Sequence, residues 1–170
     1  MNQDELNKFC HADVHMMRIA TPWSDENHTY ASNGHIIIRV SRIEEVPIRK
    51  DAPKIEGYPI EKLFNKEPKK WYPVPEFNIK QDVCPECKGG KGFPMLSKKE
   101  PIEYFTCENC EGTGKSWNHR SVEIGGVAFS DVYLSWIAEL PESEIGPFPF
   151  PDAARFKFNG GDGMLMPRRQ

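Results

Sequence analysis

The sequence predicts an α+β domain of two helix-and-strand halves with a small cysteine-bearing insert between them. Three observations predict it. A hairpin pattern follows a short helix signal near the start of the chain. A strand, helix and strand pattern fills residues 121 to 166. Two Cys-x-x-Cys pairs, Cys84/Cys87 and Cys107/Cys110, lie between these halves.

Residues 2 to 10 read as a short helix, capped by Asn2 or Asp4, with Leu6, Phe9 and Cys10 near one face. His11 and His15 stand four apart; a polar flank is the plain reading and a metal pair the sharper one. Val14, Met16, Met17, Ile19 and Ala20 suggest a strand ending before Pro22, followed by a polar turn from Trp23 to Asn27. His28–Ser32 and His35–Val40 form two strands around Asn33-Gly34, a two-residue hairpin signal, and the returning strand is rich in β-branched residues.

Residues 44 to 80 carry Pro47, Pro53, Pro59, Pro68, Pro73 and Pro75 and read as a long connection with little regular structure. Residues 60 to 64 suggest one helical turn, and Trp71, Tyr72 and Phe77 either pin the connection to a core or face a partner. Beyond the cysteines, residues 121–124 and 127–129 read as strands around Gly125-Gly126. Ser130 caps a helix from Asp131 to Leu140 whose apolar face is Val132, Tyr133, Trp136, Ile137 and Leu140, and Pro141 stops it. A proline-rich loop (145–151), a strand at Arg155–Phe158, a turn at Asn159–Gly163 and a return at Met164–Met166 complete the chain.

The cysteine pairs are separated by the nineteen residues 88–106, the spacing of a four-thiolate zinc site. Each pair forms a tight knuckle, and two facing knuckles supply the tetrahedral sulfur shell that zinc prefers. The expected cofactor is one structural Zn2+ held by Cys84, Cys87, Cys107 and Cys110. Glycines follow both pairs (Gly89, Gly90, Gly92; Gly112, Gly114), as knuckles with positive φ require. Disulfides or free thiols are the alternative, and His119 could replace a cysteine. Cys10 is left over and reads as a small buried hydrophobe. Between the knuckles, residues 92–96 and 102–106 suggest a hairpin with its tip at 97–101.

The chain has 170 residues, 38% of them hydrophobic, and a formal charge of −3. Its pI is about 6.0 and its mean hydropathy −0.61. That balance argues against a dedicated nucleic-acid binder, which shows a basic footprint. The insert balances Lys88, Lys91, Lys98, Lys99 and Lys115 against Glu86, Glu100, Glu103, Glu108 and Glu111. Met1–Glu5 is polar and acidic, unlike a signal peptide, and no apolar run approaches a membrane span. Cysteines in zinc spacing fit a reducing cytoplasm.

Two resemblances add to this reading. Cys107-Glu108-Asn109-Cys110-Glu111-Gly112-Thr113-Gly114 resembles the cysteine-rich repeat of DnaJ-type co-chaperones, and Cys84–Gly92 fits the same pattern with one extra residue before its last glycine. That family carries four repeats and two zincs, whereas two repeats here imply one zinc ribbon. There is no obvious His-Pro-Asp triplet, so the resemblance implies a ribbon rather than a chaperone. Tyr30-Ala31-Ser32-Asn33-Gly34-His35-Ile36 is similar to the Ala-Thr-Asp-Gly-His hairpin of bacterial sliding clamps. Tyr133-Leu134, the strand 155–158, the glycine turn 160–163 and Met166-Pro167-Arg168-Arg169 resemble a clamp's last motif. A clamp domain is two copies of strand, helix and strands. The resemblance therefore implies a clamp-like body at 1–45 and 118–170, a proline-rich connection at 46–82 and a ribbon at 83–117. A clamp subunit has three such domains, so a ring of this chain would need about six copies. The clamp ending contributes to a pocket for partner peptides; Arg168-Arg169-Gln170 is more polar than the family's pattern.

The function expected from these features is that of a non-enzymatic, zinc-containing accessory or phage-type factor, acting in DNA metabolism through another protein and with homo-oligomers open to it. The ribbon tip and Trp117 are the expected contacts. The alternative is nucleic-acid binding through Lys69, Lys70, Lys98, Lys99, Arg120, Arg168 and Arg169, with steep salt dependence. A zinc enzyme is the third reading. Four thiols close the shell that a catalytic metal keeps open; no Walker loop, Gly-x-Ser-x-Gly elbow or His-Glu-x-x-His is present. His28, His35 and His119 cannot be placed with Asp25 or Asp131 from sequence alone.

Overall fold

The computed structural model describes residues 1–10, 19–50, 60–76, 81–90, 92–94, 104–107, 114–117 and 120–169. In chain order its elements are α1 (Gln3–Asn7), β1 (Trp23–Ser24), β2 (His28–Ser32), β3 (Ile36–Ser41), α2 (Ile60–Phe64), β4 (Tyr72–Pro73), β5 (Gln81–Val83), β6 (Gly92–Pro94), β7 (Tyr104–Thr106), β8 (Lys115–Trp117), β9 (Ser121–Ile124), β10 (Val127–Ser130), α3 (Asp131–Ala138), β11 (Glu144–Gly146), β12 (Ala154–Phe158) and β13 (Gly161–Leu165). The chain divides into two compact units, Met1–Phe77 with Ser121–Gln170, and Asn78–Arg120. Among the described residues no helix is long and apolar enough to cross a membrane.

The first unit is mixed α and β around one seven-stranded antiparallel sheet of order β1-β2-β3-β13-β12-β11-β4. Its centre is the β3–β13 pair, so the hairpins from the two ends of the chain meet there. On either side the same order recurs outward: β2 and β1 one way, β12 and β11 the other. A helix precedes each set of three strands, α1 before β1 to β3 and α3 before β11 to β13. Strand alternation sorts the sheet into two faces. Ile36, Ile38, Phe156 and Leu165 face a core shared with Leu6, Phe9, Leu134 and Ile137 of the helical segments. Ile37 and Met164 face the opposite side, with Trp23, Tyr30 and Phe64 of α2.

Local sequence explains many of these elements. Asn2 caps α1 in a reciprocal capping box with Glu5. β2 and β3 pair in the expected hairpin, but the two loop residues are Gly34 and His35 rather than Asn33 and Gly34. Ser32 pairs with Ile37, and the Asn33 amide donates to the Ile36 carbonyl at 3.2 Å. Gly34 takes φ +90, the positive angle that a type II′ turn needs at its first central position. The Asn33 side chain accepts from the His35 and Ile36 amides at 3.0 and 3.1 Å, so it braces the turn rather than forming its tip.

Several expectations change. Trp23, read as part of a polar turn, starts β1; it is buried and stacks on Tyr30 with centroids 5.8 Å apart. Of the strand expected at 14–20, residues 14–18 lie outside the described residues, and Ile19 and Ala20 are in a turn and bend. The connection contains the short helix expected at 60–64, but Tyr72–Pro73 also joins the sheet edge as β4. Tyr72 packs on the core; Phe77 lies outside the described residues. α3 ends at Ala138 with Glu139 as its cap, short of Leu140. Leu134, absent from the expected face, is fully buried, while Tyr133 and Trp136 are only partly so. Phe9 meets Trp136 edge-on, so α3 is covered over a wider arc than a single stripe. The loop expected at 145–151 begins inside β11. The glycine turn expected at 159–163 is mostly strand: Gly161 and Gly163 pair with Val40 and Ile38. A Cβ at Gly163 would lie 2.0 Å from the Phe156 ring, so the bare backbone lets that ring lie flat on the sheet.

Asp25 organises the tight link between β1 and β2. Its carboxylate accepts from the Asn27 and His28 amides and from the Tyr30 hydroxyl, each at 2.7 Å. Burial acts to raise its pKa, but these bonds and the nearby His28 outweigh it, and the group sits below the usual carboxylate range. A depressed folded pKa adds stability that is fully present above the ordinary carboxyl range and lost as pH falls through the folded value. Asp25→Ala is expected to cost about 1 kcal/mol at neutral pH. In urea melts, the gap between variant and wild type should close on acidification; a gap independent of pH would refute this role.

Candidate metal centre

The second unit is built from short antiparallel pairs, β5 with β8 and β6 with β7. These lead into and out of the cysteine segments. Val83, the last residue of β5, precedes Cys84; β7 ends at Thr106, just before Cys107. Residues 84–90 turn tightly after β5. Within that turn the Gly90 amide donates to the Cys87 carbonyl at 2.8 Å, while Lys88 and Gly89 take φ of 50 and 85.

Backbone contacts help to close this unit. The Cys84 amide donates to the Gly114 carbonyl at 3.0 Å. Gly114 has φ +74, and a Cβ there would lie 2.7 Å from the Gly89 carbonyl oxygen. The glycine at 114 therefore allows the two backbones to touch. Among the side chains of this unit that the structure describes, the buried apolar ones are Cys84 and Cys107, with Cys87 partly buried against them.

Those three thiols form the site. Their Sγ atoms lie within 4.8 Å of one another and can hold a metal ion. Cys84 Sγ and Cys107 Sγ are 3.8 Å apart. Two sulfurs bound at about 2.3 Å to one tetrahedral ion stand about 3.8 Å apart, so the separation fits the edge of such a shell. Cys110, the fourth expected ligand, lies outside the described residues, as do His119 and the tip at 97–101. Trp117 ends β8. Sequence reasoning passed over Glu86, whose Oε2 is 3.9 Å from Cys107 Sγ; its place inside the first Cys-x-x-Cys pair was the available signal.

The remaining titratable candidates do not converge. Among the described residues the cysteine cluster is the one group of three or more His, Cys, Asp or Glu side chains close enough to share an ion. His28 lies 3.9 Å from Asp25. His35 is exposed and stacks on Tyr133 at 5.8 Å. Asp131 is buried and accepts from the Val132 amide at 2.9 Å. His11 and His15 lie outside the described residues. Cys10 belongs to the first unit and is partly rather than fully buried. Burial raises its pKa to about 11 against a weaker opposing backbone bond from Ser32, so it remains a thiol at neutral pH.

A second charged cluster, which the sequence reading did not find, lies on the α2 side of the main sheet. Asp162 accepts two bonds from Arg39, at 2.8 and 2.7 Å, and one from Arg155 at 2.8 Å. Arg155 also donates to Glu67 at 2.7 Å and to the Lys66 carbonyl at 3.0 Å. The Arg39 guanidinium lies 3.9 Å from the Phe64 ring centroid. The chemistry of this cluster is structural: its opposite charges pair and tie β3, β12 and β13 together, although the buried Arg155 Nε has no hydrogen-bond partner among the described residues. Comparison of the chain with protein-family models, with curated proteins and with solved structures returned no match.

Proposed function

We propose that this chain is a non-enzymatic binding protein, a clamp-like scaffold carrying one structural zinc, which acts as an accessory factor in DNA metabolism by contacting another protein. The sheet order carries the scaffold part of this reading. Two sets of three strands, each preceded by a helix, meet at β3 and β13, and residues of both helical segments pack in one core. That arrangement is what an internally duplicated, clamp-like domain would have.

The thiol geometry supports the metal part. Cys84 and Cys107 stand at the sulfur separation of a tetrahedral shell and Cys87 lies within 4.8 Å of both; with Cys110 as the fourth ligand expected from the sequence spacing, the set would be a four-thiolate shell that selects zinc and leaves no open position for catalysis. A protein partner is favoured over DNA by the charges on the helices. α1 carries Asp4 and Glu5 in its first turn, and Lys8 just beyond it is paired with Glu139. Lys70 is engaged over the Tyr72 ring. Phosphate binding needs several uncommitted cations along one track.

Native mass spectrometry of the purified protein tests this reading, because one spectrum reports subunit number and metal content. One zinc per chain is the expected result. A closed assembly would extend the clamp analogy to encirclement of DNA, whereas a monomer would restrict it to the scaffold. Protein that binds no zinc after growth and purification under reducing conditions would refute the metal assignment.

A further inference from the structure

An asparagine followed by glycine can react with its own main chain, because a residue without Cβ leaves its backbone nitrogen open to approach. The chain has two such pairs, Asn33-Gly34 and Asn159-Gly160, each where a hairpin of the main sheet turns. The structure makes them chemically different. At the first hairpin the reacting atoms are tied. The Asn33 side-chain oxygen accepts from the His35 and Ile36 amides at 3.0 and 3.1 Å. The Gly34 amide, the nucleophile of the pair, donates to Ser32 Oγ at 3.1 Å. Ser32 is itself buried and donates to the Ile36 carbonyl at 2.9 Å. At the second hairpin the reacting atoms are uncommitted. Phe158 pairs with Gly161, which leaves Asn159 and Gly160 as the loop, and both are exposed. Among the described residues neither the Asn159 side chain nor the Gly160 amide has a hydrogen-bond partner. The Asn159 amide donates to the Pro141 carbonyl at 2.9 Å, but that nitrogen takes no part in the reaction. Gly160 takes φ +112, and a Cβ there would meet only a Phe158 ring atom, at 4.0 Å. Asp162-Gly163 could cyclise in the same way, but its carboxylate is held by Arg39 and Arg155.

We propose that Asn159 is a self-modification site, at which the folded chain converts to aspartate and isoaspartate while Asn33 is preserved. The Gly160 nitrogen gives its proton to solvent hydroxide and attacks Asn159 Cγ. A carbon–nitrogen bond closes a cyclic imide, the side-chain carbon–nitrogen bond breaks, and the amide nitrogen leaves as ammonia with a proton from water. Water then opens the imide. Opening at one carbonyl gives aspartate; opening at the other gives isoaspartate, with an extra methylene in the main chain. Either product adds a carboxylate to the border of a cleft that Asn159 shares with Asp4, Glu5, Lys8 and Glu139. The charge of that surface of the first unit therefore becomes more negative as the protein ages. Isoaspartate also lengthens the turn next to Gly161, whose missing Cβ leaves room for the Arg39 carbonyl and the Phe158 ring. That product displaces the end of β13 from β3, whereas aspartate leaves the pairing in place. The site depends on neither the metal nor a partner.

The test is a time course of the full chain in mildly alkaline buffer, native and in urea, read by peptide mapping with mass spectrometry. In urea, where local sequence alone decides, the two asparagines should convert at similar rates. In the native chain Asn159 should convert at least about tenfold faster than Asn33, a factor that the two or three hydrogen bonds held at the first hairpin suffice to impose. Isoelectric focusing should show a more acidic species growing in wild type and absent from Asn159→Gln. Ser32→Ala frees the Gly34 amide; with folding checked by a urea melt, it should speed conversion of Asn33 severalfold and leave Asn159 unchanged. Native Asn33 converting as fast as Asn159 would overturn the proposal. So would an Asn159 that converts in urea but not in the native chain. A folded Ser32→Ala variant in which Asn33 is no faster would overturn the assignment of its protection to the Ser32 contact.

Discussion

Replacing Cys84 with serine is expected to lower zinc affinity by several orders of magnitude and to unfold residues 78–120 while the sheet of the first unit survives. The cause lies in what holds the second unit: among its side chains that the structure describes, the buried apolar ones are cysteines themselves. An insert of this size buries too little surface to fold unaided. Metal binding then supplies the folding free energy, about 10–16 kcal/mol for structural zinc in small peptides at neutral pH. A serine at position 84 removes a fully buried thiol and leaves a hydroxyl that is a poor zinc ligand. The first unit has its own two hydrophobic clusters and does not depend on that ion for a core. Hydrogen exchange with metal analysis reads both effects: amides of β5 to β8 should become unprotected and zinc content should fall, with β2 and β3 unchanged. Cys87→Ser and Cys110→Ser should behave alike, whereas Cys10→Ser should keep its zinc. Chelation of the wild type should reproduce the pattern. Exchange across residues 28–41 that rises as much as in the second unit would sink the idea of independent folding.

What the sequence made legible, and what it did not, follows the range of the interactions involved. The β2–β3 hairpin, the turn at α2, the β9–β10 pair and most of α3 are set by neighbours in the chain, so pattern and turn chemistry suffice to find them. The cysteine spacing is likewise local, and it brought attention to the three thiols that gather in space. The sheet edges were hidden for the opposite reason. β1, β4 and β11 are two or three residues long, and β4 contains a proline. Pairing alone makes them strands, with Tyr72 set against the distant Ile145 and Trp23 against the nearby Tyr30. Trp23 sits before Ser24, Asp25 and Glu26, a polar run that masks a buried ring. Gly161 and Gly163 read as a turn because their role, room for the Phe158 and Phe156 rings, is visible only once β12 lies beside β13. The contact of Gly114 with Gly89 is hidden in the same way, since the two lie on different arms of the metal centre.

Asp162→Ala is expected to destabilise the first unit by about 3 kcal/mol, the low end of the cost of stripping a partner from a buried ion pair. Asp162 lies on β13 directly opposite Arg39 of β3. It lies diagonally from Arg155, which shares a face of β12 with its register partner Lys157. One carboxylate thus bridges the three strands at the sheet centre, with Asp162 16% and Arg155 8% exposed. Without it the Arg39 guanidinium loses both of its bonds to Asp162 and keeps the Phe64 ring. Arg155 keeps Glu67, which is 72% exposed and so a weak substitute. The penalty is that of leaving cations in a partly dry site rather than the value of the pair itself, and a double-mutant cycle separates the two. Arg39→Met alone should cost less than Asp162→Ala, because Asp162 retains Arg155. The double variant should cost clearly less than the sum of the singles. Denaturant midpoints measure all three, and strict additivity, or a loss below about 1 kcal/mol for Asp162→Ala, would show that the apolar faces alone hold β3 to β13. The same cycle bears on the scaffold reading. The β3–β13 pair joins the two halves of the sheet, so if its charged clasp governs stability, the halves fold as one body rather than as two independent hairpins.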